Sequence, residues 1–397
     1  MSGRKILVVE EHAHLSEGHL PMLFADVASN LAAAGCEVTV LTKRGWVLDG
    51  TGRPVPFRLV LPGSVSRAVA RTAEALARVP PRAVGRRLRQ HLGDLAFVLS
   101  IRRWARRLDA DVVYVSVRFQ SYLLLALARR GRWLVYQFVG PRSVGLSRVK
   151  RLIDRVIVSA GRARASHSGG LVVVCNNEAN RQEWERAGLG IGTAYLNFAS
   201  SREHVPIPDA RERLGLDPEW RIVLLFGAVH PGKSPEIAFE LFEELERTGE
   251  LPNLHLLIVG KVASKLETWK LGAFQESRRV HVLGGYQTEE VCDLVHAAAD
   301  VQLMSFLPGW DLDSGVLTDA IGWGLPVVCS SGNQTALDVE RLSLGCLFEA
   351  GNRESLRDAL LAVPAELDAP VLATARTERS GAAQARAHLA LLDSLGS

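Results

Sequence analysis

Along this chain short β-branched apolar runs alternate with stretches of helical periodicity, and the alternation occurs twice. From Lys5 a strand, KILVVE, is followed by a polar loop, EHAHLSEGH, a helical run from about Pro21 to Ala34, a stop at Gly35 and a second strand, EVTVLT. These make one βαβ unit. The runs ADVVYVS (110–116), RWLVYQFV (132–139) and GLVVVC (170–175) have the composition of parallel strands buried on both faces, with helical segments between them. A polar, proline-containing stretch, SSREHVPIPDARERLGLDPEW (200–220), then interrupts the series and runs into a short helix. The second series is RIVLLFG (221–227), LHLLIVG (254–260), RVHVLGG (279–285), DVQLMSF (300–306) and LPVVCS (325–330).

Strands and helices that alternate in this way form parallel sheets covered on both faces. The pattern predicts an α/β chain of two Rossmann-like, doubly wound domains. They span residues 1–200 and 221–380, joined by a linker at 201–220, and a C-terminal helix at 381–397 is expected to pack back on the first domain. Two such sheets face a central cleft, with ligand held outside the carboxyl ends of the strands. Length agrees, because 397 residues exceed what one hydrophobic core usually serves. No apolar run approaches the roughly 20 residues of a membrane-spanning helix. The apolar stretch behind Arg4 and Lys5 stops at Glu10 with no small-residue cleavage site after it, so a cytoplasmic protein is expected. The five cysteines stand singly, without zinc or disulfide spacing, and Asn333-Gln-Thr335 reads as an accidental match to a glycosylation acceptor.

Net charge is +4, but residues 1–205 hold 31 Lys+Arg against 15 Asp+Glu, whereas the remainder holds 16 against 28. A division of this kind fits two domains with different partners, the basic one suited to an anionic surface or an acidic ligand; it equally fits arginines solvated on helix faces. Nucleic acid is not expected as a partner, since no binding motif or aromatic-interleaved basic stretch is present.

Candidate chemistry sits in the loops after the second-series strands. After RIVLLFG comes AVHPGKSPEIAFELFEEL, where Ser234 suits an N-cap, Pro235 the first helical position, and Ile237, Leu241, Phe242 and Leu245 one apolar stripe. Lys233 is left beside the helix start, where its ammonium and backbone N–H groups can face an anion together; it equally reads as a solvated loop lysine. In FLPGWDLDSGVLTDAIGWGLPVV (306–328), Ser314 and Gly315 open a helix whose free N–H groups suit a phosphate. Asp319 follows on the first turns of that helix and can accept from a vicinal diol, Asp311 can reach another part of the same ligand, and Asp313 solvates the loop.

Taken in sequence, FGAVHPGKS, RVHVLGGYQTEEV, the D-x7-D ending in TDAIGWGLPVV, and GCLFEAGNRESLRDALLAV resemble the donor domain of a GT-B glycosyltransferase, nearest to the retaining enzymes of glycosyltransferase family 4. GHLPMLFADVASNLAAAGCEVTVLT and VVVCNNEANRQEWERAGL followed by YLNFAS resemble its acceptor domain. The resemblance implies that Lys233 neutralises the donor diphosphate, Asp319 binds the ribose diol and Asp311 contacts the donor sugar. It also implies that Ser314 and Gly315 offer phosphate contacts, that Gly227 and His230 belong to the donor site, that Gly284 and Gly285 run past the base, and that Gly18 allows close backbone approach. Departures accompany it. An arginine common before the lysine is Ala228 here, with His230 or Arg142 as stand-ins, both family glutamates are aspartates, and a histidine position is near Val139 with Gln137 the nearest polar residue.

His12, His14 and His19 lie among Glu10, Glu11 and Glu17 but match no standard zinc spacing, so they read as a loop that hydrogen-bonds the acceptor. No cofactor is expected beyond the nucleotide-diphosphate sugar as co-substrate, and no metal requirement. The implied reaction is transfer with retention, the departing diphosphate being stabilised by positive charge and helix-start dipoles. The shortened acids and Ala228 leave open a chain that binds without transferring, and an epimerase of the same architecture is a further alternative. Trp310 can pack over the sugar or fill a hinge. The acceptor is a small natural product or metabolite, or a lipid-linked glycan. For the latter the segment RAVGRRLRQHLGDLAFVLSIRRWARRL (82–108) could lie peripherally on the inner membrane face; the same apolar residues equally suit the inner side of ordinary helices.

Overall fold

The computed structural model describes residues 3–10, 19–42, 58–60, 97, 99–116, 131–137, 170–186, 192–199, 204–262, 277–310 and 314–395. Among the described residues every strand pairing is parallel, which forces each connection to cross over a face of the sheet. The chain divides into two units, one of Met1–Ser201 with Gly381–Ser397 and the other of Arg202–Ser380.

In the first unit, β1 (Lys5–Glu10), β2 (Glu37–Thr42), β3 (Arg58–Val60), β4 (Asp111–Ser116), β5 (Trp133–Gln137), β6 (Leu171–Cys175) and β7 (Gly192–Tyr195) form a seven-stranded sheet. Its order is β3-β2-β1-β4-β5-β6-β7. In the second, β8 (Arg221–Phe226), β9 (Leu254–Gly260), β10 (Val280–Gly284), β11 (Val301–Met304), β12 (Val327–Ser330) and β13 (Gly345–Phe348) form a six-stranded sheet of order β10-β9-β8-β11-β12-β13. Both orders run outward from one strand and then reverse, which is the doubly wound pattern the alternation predicts. The central strands begin and end within a few residues of their sequence-predicted bounds. The edge strands β3, β7 and β13 go unpredicted. An edge strand is covered on fewer sides and needs fewer apolar residues, and β13 buries only Phe348.

On one face of the first sheet lie the helices His19–Ala33 and Gly381–Ser394. The C-terminal helix is built into this unit by buried polar contacts. Asn30 donates to Gln384 Oε1 at 3.0 Å, and Tyr136 Oη lies 2.5 Å from His388 Nε2. His388 Nδ1 is 2.7 Å from the Gln384 carbonyl, so Nδ1 must carry the proton and Nε2 must accept from the tyrosine. Burial pushes the His388 pKa down to about 4, which keeps the ring neutral in this arrangement. Arg4 ties the same helix to the sheet through Asp393 and Asp111, both at 2.7 Å. On the opposite face Phe97, Ile101 and Ala105 pack into the core, with Trp104 and Leu108 beside them. Those apolar residues of the 82–108 segment form the inner side of a helix; residues 82–96 and 98 lie outside the described set. Among the described residues no helix is long and apolar enough to cross a membrane.

The second sheet is covered on one side by helix Glu236–Thr248, whose Ile237, Leu241, Phe242 and Leu245 are buried as their spacing predicts. Helices Glu289–Ala298, Gly315–Trp323 and Gln334–Arg341 contribute to the core of the other side. The 201–220 stretch includes a short helix, Ala210–Leu214, anchored where Arg211 reaches Asp300 at 2.6 Å and the Ala298 carbonyl at 3.0 Å.

Candidate functional site

Strand order in the second sheet reverses between β8 and β11, so their outgoing loops part on either side of a crevice at the carboxyl edge. These are the loops that carry Lys233 and Trp310. Gly227, the first residue past β8, has φ +95°, and a Cβ there would lie 3.0 Å from Lys233 Nζ and 3.6 Å from Val316 Cγ2. A lysine ammonium and the first turn of the Gly315–Trp323 helix therefore converge on one glycine. Any larger residue at 227 would push between them.

From His230 the chain tightens into a 3-10 turn, Pro231–Lys233. His230 Nδ1 accepts from the Gly232 amide at 3.1 Å, and Ser234 N donates to the Pro231 carbonyl at 3.0 Å. Ser234 is not the N-cap of the following helix; it closes the 3-10 turn in the left-handed region at φ 40°, and Pro235 takes the cap position ahead of Glu236. The tight turn consumes the residue that helix-start statistics would have used, and a proline suits the cap because it has no N–H to satisfy.

The side chain of Lys233 folds back on the strand it follows, and Nζ donates to the Phe226 carbonyl at 3.2 Å. Burial of the ammonium lowers the Lys233 pKa to about 8. The His230 pKa is lowered by burial and then by Lys233, so at neutral pH the ring is uncharged. With Nδ1 accepting, its proton sits on Nε2. His230 can thus donate a hydrogen bond where Ala228 offers nothing, without replacing an arginine's charge.

After β11, Ser305 Oγ donates to the Lys233 carbonyl at 2.9 Å and Leu307 N to the Gly232 carbonyl at 3.2 Å. Trp310 stacks on Phe306, with ring centroids 5.6 Å apart and planes within 6°, and lies 5.4 Å from the His230 ring. Its edge is so close to Gly232 that a Cβ there would meet it at 2.5 Å. Trp310 is packing between its own loop and the lysine turn. Asp311 and Asp313 fall outside the described residues, as do Gly18, His12, His14 and Arg142. His19 opens the first helix instead of closing the loop before it.

Ser314 holds the N-cap position of the Gly315–Trp323 helix in an extended conformation, but its hydroxyl makes no cap bond to the helix. Asp319 is the fifth residue of that helix and partly exposed; it stands on the second turn, so the helix dipole supports it less than a first-turn placement would. Gly284 and Gly285 end β10 at the same carboxyl edge, with open space around both and φ +85° at Gly285. Gln137, in the first unit, ends β5 and is buried. Asn333 is buried as the N-cap of helix Gln334–Arg341, its Oδ1 accepting from Ala336 N at 3.0 Å, so the glycosylation match is accidental as read.

Two doubly wound parallel sheets in one chain are the architecture of the GT-B fold. Residues 23–187 match the glycosyl transferase 4-like domain and residues 221–365 match the glycosyl transferases group 1. The two matches together span most of the chain, and the chain belongs to this glycosyltransferase family. Among curated proteins none matches by sequence. Solved structures with the same fold include sucrose-phosphate synthase from Thermosynechococcus elongatus, 17% identical with a TM-score of 0.61 over 99% of this chain and 97% of that one. Anabaena HepE in complex with UDP is 16% identical, with a TM-score of 0.64 over 98% of this chain and 100% of that one. WaaG, a glycosyltransferase involved in lipopolysaccharide biosynthesis, is 17% identical, with a TM-score of 0.60 over 99% and 100%.

Proposed function

We propose that the donor is a uridine diphosphate sugar whose two phosphates lie between the Lys233 ammonium and the start of the Gly315–Trp323 helix. The observation that carries this reading is the convergence of Nζ and the helix's first turn on Gly227. The choice of uridine follows the nucleotide in the HepE complex. Ser314 and Gly315 contribute helix-start contacts, and His230 donates through Nε2 to a phosphate oxygen. Asp319 accepts from the ribose diol, Asp311 contacts the sugar, and the base runs past Gly284 and Gly285. Gly18 lets backbone approach the donor's phosphate or sugar closely, and the acceptor side draws on His12, His14, His19, Gln137 and Arg142, for a small metabolite or a lipid-linked glycan.

Chemically, the demanding event is departure of the diphosphate. An ammonium already largely buried, and helix-start N–H groups already oriented, stabilise the charge that develops there with little water to reorganise. With no carboxylate assigned as nucleophile, attack proceeds on the leaving-group face, and a phosphate oxygen takes the acceptor's proton. Calorimetric titration with uridine, guanosine and thymidine diphosphates is expected to give uridine diphosphate the tightest binding. Preference for another base would replace the donor assignment, and conversion of the nucleotide sugar to its epimer without acceptor would identify an epimerase.

The lysine also sets a pH dependence. Only the protonated ammonium attracts the diphosphate, and in the free enzyme its pKa is lowered to about 8. Donor kcat/KM should therefore be level below that pH and fall about tenfold per unit above it. The limb in kcat should lie at higher pH, because the bound anion favours the charged form. A kcat/KM profile flat to pH 10 would remove Lys233 from this role.

A further inference from the structure

Where β11 leaves the sheet, a side chain takes over the work of the ladder. Backbone pairing between β11 and β12 ends at Met304 with Cys329. Two residues on, Phe306 is buried beyond the last backbone pair of that ladder. Ser330 Oγ accepts from Phe306 N at 2.7 Å and donates to Phe306 O at 2.8 Å, so one hydroxyl satisfies both. Asn333 completes that oxygen's valence by donating to it at 3.2 Å, and its amide also donates to the Ser330 carbonyl. Beyond it, Gly309 N donates to Gly332 O at 2.9 Å and Gln334 N to Trp310 O at 3.2 Å. On the other flank the loop is joined to the lysine turn by Ser305 Oγ on Lys233 O and by Leu307 N on Gly232 O.

We infer that Ser305 and Ser330 are positioning residues, which clamp the 305–310 loop between the Lys233 turn and β12 so that the lysine and the chain leading to Asp311 keep one fixed mutual geometry. Neither serine has a place among the proposed donor contacts. They act through the backbone: Ser305 holds the carbonyl of the lysine itself, and Ser330 holds the loop against which that bond is made. Buried backbone groups seldom go unsatisfied, so a chain whose Phe306 lost its hydroxyl partner would move until it found another. The loop and the lysine turn would then drift apart. The consequence for donor binding rests on the donor reading above.

The test uses uridine diphosphate as the probe and the full chain carrying Ser305→Ala, Ser330→Ala or Ser330→Thr. Affinity should drop about tenfold in each alanine variant and recover with Ser330→Thr, which keeps the hydroxyl. In Ser305→Ala the alkaline limb of binding should move from about 8 toward the ordinary lysine value of 10.5, as the turn opens and Nζ becomes hydrated. A purely structural serine would lower Tm and leave that limb in place. Unchanged affinity and an unchanged limb in Ser305→Ala would overturn the inference even if Ser330→Ala failed to fold. Should the wild-type protein bind no nucleotide, the donor assignment falls. Side-chain NMR of Lys233 would still decide the positioning role, because its titration should shift upward in Ser305→Ala.

Discussion

Lys233→Ala is expected to lower kcat/KM for the nucleotide sugar on the order of 100- to 1000-fold, the loss typical when a preorganised group that faces developing charge is removed. The effect should be large because the ammonium is already largely buried, so its attraction for a diphosphate is weakly screened. Stability should respond in the opposite sense. Burial disfavours the charged form of Lys233, as its lowered pKa records, so removing it relieves a cost and Tm should hold or rise. Lys233→Arg should not rescue activity. A guanidinium is longer and planar, and cannot take the place of an ammonium seated on the Phe226 carbonyl at the end of a folded-back lysine. Steady-state kinetics and thermal melts on the same samples check both halves, and near-wild-type turnover in Lys233→Ala would remove its assigned role.

The second large effect lies in a buried ion pair that supports the Gly315–Trp323 helix. Arg379 and Asp338 are almost wholly buried and meet at 2.9 Å, while Arg379 also donates to Thr318 Oγ1 at 3.2 Å, on the helix that carries Asp319. Arg341, half exposed, reaches the other oxygen of Asp338 at 3.1 Å. Taking Arg379 away leaves a carboxylate in the interior with one peripheral partner. Arg379→Ala is therefore expected to destabilise the second unit by about 3–5 kcal/mol, a large share of a domain's ~5–15 kcal/mol. For contrast, Arg181 pairs with Glu178 at the surface, and Arg181→Ala should cost less than about 1 kcal/mol. Replacing Arg379 and Asp338 together by apolar residues of similar size should recover most of the loss. Urea titrations decide it, and a loss under about 1 kcal/mol for Arg379→Ala would show that the pair contributes little.

What the sequence disclosed and what it hid follow from how far apart the interacting residues lie. Central strands such as KILVVE and LHLLIVG are legible because burial on both faces writes an unbroken apolar run into adjacent positions. The edge strand GCLF is not, since partial exposure removes that constraint. Ser234 fits the N-cap preference by composition, yet the preceding 3-10 turn, held by His230 and Pro231, shifts the helix start by one residue. Lys233 was readable as an anion contact from its place before a helix; its fold back onto Phe226 was not, because that bond depends on a glycine whose side of the strand no local pattern reveals. The clamp from Ser330 to Phe306 and the Arg379–Asp338–Thr318 network join residues 24, 41 and 61 positions apart. A serine that ends a buried strand and an arginine that caps a helix look ordinary in sequence, and only the fold supplies their partners.

A crystal structure of the full chain with uridine diphosphate tests the account most directly. The diphosphate should lie within hydrogen-bonding distance, ~3 Å, of Lys233 Nζ and of backbone N–H groups at the start of the Gly315–Trp323 helix, with Nζ turned away from the Phe226 carbonyl and the ribose diol on Asp319. A nucleotide bound elsewhere on the chain, with Lys233 still donating to Phe226, would contradict it.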